Sequence, residues 1–299
     1  MTADVLVIGE SLIDIVQRAD GTVTEVVGGS PANVAFGLAR QSVAVRFHTA
    51  LARDERGARI AAQLRGEGVE LVEASWSLAA TSTALAEIAA DGAARYTFDL
   101  EWALPVTPRV GDATLVHVGS IAAFLEPGAS VVEHVLGGTD TLVSFDPNIR
   151  GALLPDRREA VARFERLAAV ADVVKLSDED ASWLYPGASL AEVIAEVAQR
   201  GPRLVAVTRG GAGALLHAAG VTVDVAAPVV RVQDTVGAGD TFMAALIREV
   251  LATTDVLGAP TAERLATIGA YAAAAAALTV QRVGADLPRV DEVAAALRA

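Results

Sequence analysis

The chain has 299 residues, a formal charge of −13 from 24 Lys+Arg against 37 Asp+Glu, and is 53% hydrophobic and 20% charged. That length and composition fit a folded globular chain, with one large domain or a main domain plus a smaller attachment, and not a disordered one. With no cysteine, one lysine outside any GxxxxGK[ST] frame and four scattered histidines, disulfides, thiolate chemistry and a Walker-type phosphate loop are excluded, a His-rich metal site is disfavoured, and the acidity argues against nucleic acid.

The opening MTADVLVIGE has no basic region before its short apolar run, so Val5–Ile8 reads as a first strand and not as a signal peptide. Leu12–Val27 follows as a hairpin around Asp20-Gly21, a dipeptide suited to a two-residue turn with both positions at positive φ. Asp14 lies early in it. Gly28-Gly29-Ser30-Pro31-Ala32-Asn33 then runs into a helix over Pro31–Arg40. Asn33 both donates and accepts, which suits sugar hydroxyls, with Asp14 as a second acceptor on the same side; a capped helix with a surface Asn is the plainer alternative.

A strand over Val43–His48 and a helix over Arg56–Glu67 precede a second hairpin, Thr83–Glu101, around Asp91-Gly92, with alternation clearest in Arg95-Tyr96-Thr97-Phe98. Two hairpins give about four antiparallel strands with no place in a parallel sheet. They are expected to form a small separate sheet acting as a lid, or else to decorate an edge. Phe98 and Tyr96 either cover a ligand or pack the lid.

Strands at Thr114–Val118, Thr141–Phe145, Val173–Leu176 and Leu204–Thr208 alternate with helices at Ser130–Leu136, Arg157–Ala169 and Leu190–Gln199. Such alternation predicts an α/β fold with a mostly parallel sheet covered on both faces. Asp146, Asn148 and Arg150 come directly after one strand, where ligands of open parallel sheets bind, although a surface turn also explains them. Thr208-Arg209-Gly210-Gly211-Ala212-Gly213 is either a loop that a nucleotide approaches or a hairpin turn; no GxGxxG occurs.

A strand-like run over Val225–Val232 leads to Asp234-Thr235-Val236-Gly237-Ala238-Gly239-Asp240-Thr241-Phe242 and a helix over Asp240–Ala252. The small residues Gly237, Ala238 and Gly239 admit close approach, and the helix start offers unpaired N–H groups, together an anion cradle for a phosphoryl group. Asp240 at that positive helix end is available to accept a proton, as a base for phosphoryl transfer to a hydroxyl requires; an N-capping Asp is the plain alternative. With no lysine in the segment, charge stabilisation is expected from backbone amides and a metal ion. Helices at Thr261–Leu278 and Val290–Leu297 complete the chain. Its longest apolar run, Tyr271–Val280, is about half of the ~20 residues a membrane span needs, so a soluble cytoplasmic protein is expected.

DTVGAGDTF and GGSPANVAFGLAR resemble the C-terminal and N-terminal signatures of the ribokinase-type (PfkB) carbohydrate kinases, in the right order over essentially the whole chain. The resemblance implies one ribokinase-like domain over 1–299, three-layered α/β/α, with a lid from about 12–27 and 83–101. It implies transfer of the γ-phosphate of ATP to a primary hydroxyl of a small sugar. Asp240 would be the base, with Gly237, Ala238 and Gly239 as the anion hole.

The sugar set is then Asp14, Gly28, Gly29, Asn33, Phe98, Asp146, Asn148 and Arg150. The nucleotide set is Lys175, Thr208, Arg209, Gly210, Gly211, Gly213 and Gly239. The family's NxxE stands here as Ser177-Asp178-Glu179-Asp180, which leaves Asp180 as an indirect Mg2+ contact; Asp234, Val236 and Gly284 fall where a monovalent cation such as K+ binds. FDPNIR and VKLSDEDASWLYPG are most similar to bacterial fructokinases. The alternatives are a 2-keto-3-deoxygluconate kinase served by Arg150 and Arg95, a nucleoside kinase using Trp76, Tyr96, Phe98 or Trp102 for the base, and a silent sugar-binding protein. A homodimer through the lid is a further implication.

Overall fold

Hydrophobic alternation is absent from the central strands because both of their faces are covered: Val5, Leu6, Val7 and Ile8 are all buried. The structure, a computed structural model, describes residues 4–89, 94–154 and 156–298. The first third of the chain forms β1 (Asp4–Ile8), β2 (Leu12–Arg18), β3 (Val23–Gly28), α1 (Ser30–Arg40), β4 (Ala44–His48), β5 (Leu51–Ala52), α2 (Glu55–Gly66), β6 (Glu70–Leu71), β7 (Trp76–Leu78), β8 (Thr83–Ile88) and β9 (Ala94–Asp99). The middle forms β10 (Leu115–Gly119), α3 (Gly128–Gly137), β11 (Leu142–Asp146), α4 (Arg157–Val170), β12 (Val173–Ser177), α5 (Asp178–Leu184), α6 (Leu190–Ala198) and β13 (Leu204–Thr208). The last part forms β14 (Ala214–Ala218), β15 (Val221–Val225), α7 (Ala238–Ala252), α8 (Ala262–Thr279) and α9 (Val290–Ala296).

Nine strands make one sheet in the order β15-β14-β13-β12-β11-β10-β1-β4-β6. It is parallel from β6 to β13, with β14 and β15 added antiparallel at one edge. Successive side chains divide between two cores. Val5, Val7, Leu115 and Leu204 pack with α1, α7 and α8, through Val34, Leu38, Leu246 and Leu265 among others. Leu6, Ile8, Val116 and Phe145 pack on the other face with α3, α4 and α6, through Val132, Phe164 and Val193. This is the expected three-layered α/β/α arrangement, and the six buried runs read as parallel strands all lie in the large sheet.

The two hairpins form a separate four-stranded sheet, β3-β2-β8-β9. Its pairing differs from the expected antiparallel set, because β2 and β8 run parallel and join the hairpins side by side. At the first hairpin only Gly21 has positive φ (86°), not both turn residues. The Gly21 amide donates to Arg18 O and the Arg18 amide to Thr22 O, so a longer loop closed by a left-handed glycine replaces the two-residue turn. The Asp91-Gly92 turn lies outside the described residues. The strand expected over Val225–Val232 ends at Val225; beyond it Val229 and Val232 are exposed in a loop. The short helix α5 was not foreseen. Ser177 caps it, its Oγ accepting from the Asp180 amide while the Asp180 carboxylate accepts from the Ser177 amide. No helix among the described residues is long and apolar enough to cross a membrane.

Candidate active site

The carboxyl ends of β1, β10 and β11, the start of α1, the small sheet and the start of α7 enclose a cavity of about 340 Å3. Asp240 stands in its wall. Gly237 caps α7 in the left-handed conformation (φ 78°), which brings Ala238, Gly239 and Asp240 into the first helical turn. The Ala238 amide donates to Thr235 O at 3.2 Å; helix geometry leaves the N–H groups of Gly239 and Asp240 without an intrahelical acceptor. Asp240 is 8% exposed. Its Oδ1 accepts from Ser30 Oγ at 2.6 Å and its Oδ2 from Asn33 Nδ2 at 2.7 Å. Both donors sit on the first turn of α1, so the two glycine-preceded helix starts face each other across the carboxylate.

The diglycine is required on steric grounds. A Cβ on Gly28 would lie 2.0 Å from Asp14 Oδ2, and one on Gly29, at φ 99°, 2.7 Å from the Glu10 carbonyl. Asp14, Gly29, Asn33, Phe98, Asn148 and Arg150 line the cavity as expected. Burial lifts the Asp14 carboxyl to about 6, against the pull of Arg150. Gly28 makes room behind Asp14 without lining the cavity. Tyr96 stacks on Phe98, ring centroids 6.2 Å apart, but is exposed and off the cavity wall, as is Arg95.

Asp146 departs from expectation. It is fully buried, accepts from the Asn148 amide, and holds the Lys175 ammonium at 2.8 Å instead of facing the cavity. Lys175, expected at the nucleotide, is likewise buried and lies behind Gly239, where an added Cβ would come within 3.1 Å of Nζ. The only lysine of the chain thus stands beneath the first turn of α7, although the segment that starts this helix contains none. Burial alone would lower its pKa, but the carboxylates of Asp146, Asp180 and Asp240 outweigh burial and raise it. Burial lifts Asp146 to about 6 in spite of Lys175, so at neutral pH the pair is ionised.

A second cavity of about 410 Å3 shares Thr235 and Gly239 with the first. Thr208, Gly210, Gly211 and Gly213 line it, and the loop is also the β13–β14 hairpin turn, the plainer reading of that segment. Arg209 does not line it; it bonds Ala212 O and Asp224 and braces the turn. Its apolar wall, from Val229, Val230 and Val232 in the exposed loop and Ala273, Ala276 and Ala277 of α8, was not foreseen. The alanines read as buried helix packing, and small side chains that leave space carry no signal of their own.

Asp234 accepts from the amides of Val236 (3.1 Å) and Gly284 (2.8 Å), which bring the three expected cation residues together and lower its pKa. Asp180 spends its two oxygens on the amides of Ile149 and Ser177. No three His, Cys, Asp or Glu side chains gather as a metal site among the described residues. Trp76 and Trp102 line neither cavity. Ser30 and Glu10, absent from the expected set, line the first; Ser30 had a signal in its place between the diglycine and Pro31, and Glu10 had none beyond the strand end.

Residues 2–292 match the pfkB family carbohydrate kinases. A fructokinase of Salmonella typhimurium is 33% identical over 305 residues, covering 97% of this chain and 99% of that protein. The fructokinase of Xylella fastidiosa with bound ATP superposes with a TM-score of 0.86 at 27% identity, over 100% of this chain and 99% of that one. The fructokinase of Vibrio cholerae O395 with fructose, ADP and calcium ion superposes with a TM-score of 0.85 at 26% identity, over 99% of each chain. The chain belongs to the pfkB family of carbohydrate kinases and is a phosphotransferase with an alcohol group as acceptor.

Proposed function

We propose that this chain is an ATP-dependent fructokinase in which Asp240 accepts the proton of a primary hydroxyl as that hydroxyl attacks the γ-phosphate. The observation that carries the reading is the meeting of two cavities at Gly239, one ringed by Asp14, Asn33, Asn148, Arg150 and Asp240, the other by glycines and small apolar side chains. A polyol suits the first, and a nucleotide with a flat apolar base suits the second. Ser30 and Asn33 each hold one oxygen of Asp240 and so fix the base for attack. Charge developing on the transferred group is met by the N–H groups of Gly239 and Asp240 and, from behind, by the Lys175 ammonium. Closure of the small sheet over the first cavity would exclude water.

The rival substrates are disfavoured by particular residues. A sugar acid would bring its carboxylate beside Asp14 and Glu10 with Arg150 as the one cation lining the cavity. A nucleoside would have Phe98 alone, since neither tryptophan reaches the cavity. An Asp240 held by two donors argues against a silent binding protein. For magnesium, Asp146 and Asp180 are already committed to Lys175 and to backbone amides, so neither is free to bind the ion directly. Asp234 likewise has both oxygens on backbone amides, those of Val236 and Gly284, so a monovalent cation there would be held chiefly by carbonyl groups of the 234–236 and 280–284 segments that this carboxylate ties together. Val26, Tyr96 and Phe98 leave the Asp14-bearing face of the small sheet partly exposed, which supports a dimer that covers it.

Coupled ADP release with fructose, ribose, 2-keto-3-deoxygluconate and adenosine tests the reading. The highest kcat/KM is expected with fructose. Preference for the sugar acid or adenosine, or no turnover on any of them, would refute it.

A further inference from the structure

Glu10 follows Gly9 just past the end of β1 and lies outside the glycine-rich segments before α1, α7 and β14, yet it lines the polyol cavity together with Asp14, Asn33 and Asp240. It is 6% exposed. Its Oε2 accepts from the Ala122 amide at 2.9 Å, while its Oε1 has no hydrogen-bond partner among the described residues. A buried carboxylate oxygen without a donor is costly, and such atoms are rare in folded chains.

The surroundings are arranged around this group. Gly29, in a conformation that disfavours side chains, backs onto the Glu10 carbonyl. Ser120 takes a left-handed φ of 54°, as does Asn148 at 36°, and both line the same cavity. The turn at Ser120 carries the Ala122 amide to the carboxylate, so one oxygen is fixed and the other is left over. Backbone strain of this kind persists where the surrounding structure enforces it, often at ligand sites. Burial also lifts the Glu10 carboxyl to about 7, against the pull of the Ala122 and Glu10 amides, the nearby Ser120 hydroxyl and Arg150.

We infer that Glu10 is a specificity-determining residue whose free oxygen accepts a hydrogen bond from a sugar hydroxyl other than the one phosphorylated. The hydroxyl that reacts belongs to Asp240, so Glu10 reads the acceptor's remaining pattern and selects against sugars that lack or invert that group. The inference rests on the sugar-kinase reading above.

Glu10→Gln separates this role from anchoring alone. The amide keeps an oxygen for the Ala122 N–H and presents an NH2 where the free acceptor stood, at unchanged size. Loss of a hydrogen bond to a charged group predicts a rise in sugar KM of about tenfold to a hundredfold, with the ATP KM unchanged and the melting temperature not lowered. Measured against a series of monodeoxy sugars, the wild type should penalise one analogue strongly, and that penalty should collapse in E10Q. Glu10→Asp keeps the charge but withdraws the oxygen, and should raise the sugar KM in the same sense. An unchanged sugar KM in E10Q, or equal penalties across the deoxy series in both proteins, would overturn the inference and leave Glu10 as an anchor for Ala122. If the wild type prefers a sugar other than fructose, the fructose reading falls, and the same deoxy series built on the preferred sugar still decides the role of Glu10.

Discussion

On one side of Gly239 the cavity wall carries Glu10, Asp14, Asn33, Asn148, Arg150 and Asp240; on the other it carries Thr208, three glycines of the β13–β14 turn, and valines and alanines. The first cavity is specified by polar side chains, of which Asp240 is held by Ser30 and Asn33 and one oxygen of Glu10 by the Ala122 amide. The second is specified by what its residues lack. Changing a single atom should therefore disturb the polyol side, whereas the nucleotide side should respond mainly to added bulk. Between them, buried and reached by neither wall, lies the Lys175–Asp146 pair.

The largest effect outside the base itself is expected at that pair. Lys175→Met removes the cation behind the cradle and strands Asp146, which should lower kcat by about 10²- to 10³-fold and cost about 3–5 kcal/mol of stability. Adding Asp146→Asn should return part of the stability and none of the rate. Melting curves and steady-state kinetics on both variants check this, and recovery of turnover with stability would reduce the pair to a structural role.

Next comes Ala276→Leu, which fills space on the nucleotide side. The ATP KM should rise about tenfold or more, as overpacking of 1–3 kcal/mol implies, with the sugar KM unchanged. A variant that moved both constants equally would break the division between the two walls.

How much of this was legible in the amino-acid sequence follows the same division. The six doubly buried strands could be read because continuous runs such as Val5–Ile8 have few other uses in a soluble chain. Asp240 and Asn33 could be read because a polar residue close behind glycines at a helix start is locally conspicuous; Asp14, between Ile13 and Ile15 in β2, stands out only as a lone carboxylate in an apolar run. Lys175 and Asp146 could be found individually, but their pairing depends on β11 and β12 lying side by side, which local pattern does not encode. Glu10 is exceptional only through an absence, the missing partner of Oε1. Ala273 and Ala276 look like any packed helix. The Val225–Val232 run misled because apolar residues that shape a cleft resemble those that build a strand.

A further effect, read in stability and not in turnover, concerns protonation, and it sharpens the polyol side. Burial raises Glu10 from 4.5 to about 7 and Asp14 from 3.8 to about 6. A carboxyl raised on folding contributes stability that is complete below its unfolded pKa and lost as pH rises through its folded value. Wild type should therefore lose up to roughly 3 kcal/mol at Glu10 between about pH 4.5 and 7, a loss absent from Glu10→Gln. In thermal unfolding of the sugar-free protein, the melting temperature of E10Q relative to wild type should climb by a few degrees from pH 5 to pH 8. A difference that stayed flat would mean that burial does not raise the Glu10 carboxyl.

The account as a whole depends on Asp240 acting as a base between the two walls. Asp240→Asn keeps the size of the side chain and an acceptor for Ser30 Oγ, so the fold and both KM values should be retained. Coupled ADP release at saturating sugar and ATP should then show kcat reduced by about 10²- to 10⁴-fold, the range a general base supplies. Turnover near the wild-type rate in the folded variant would contradict it.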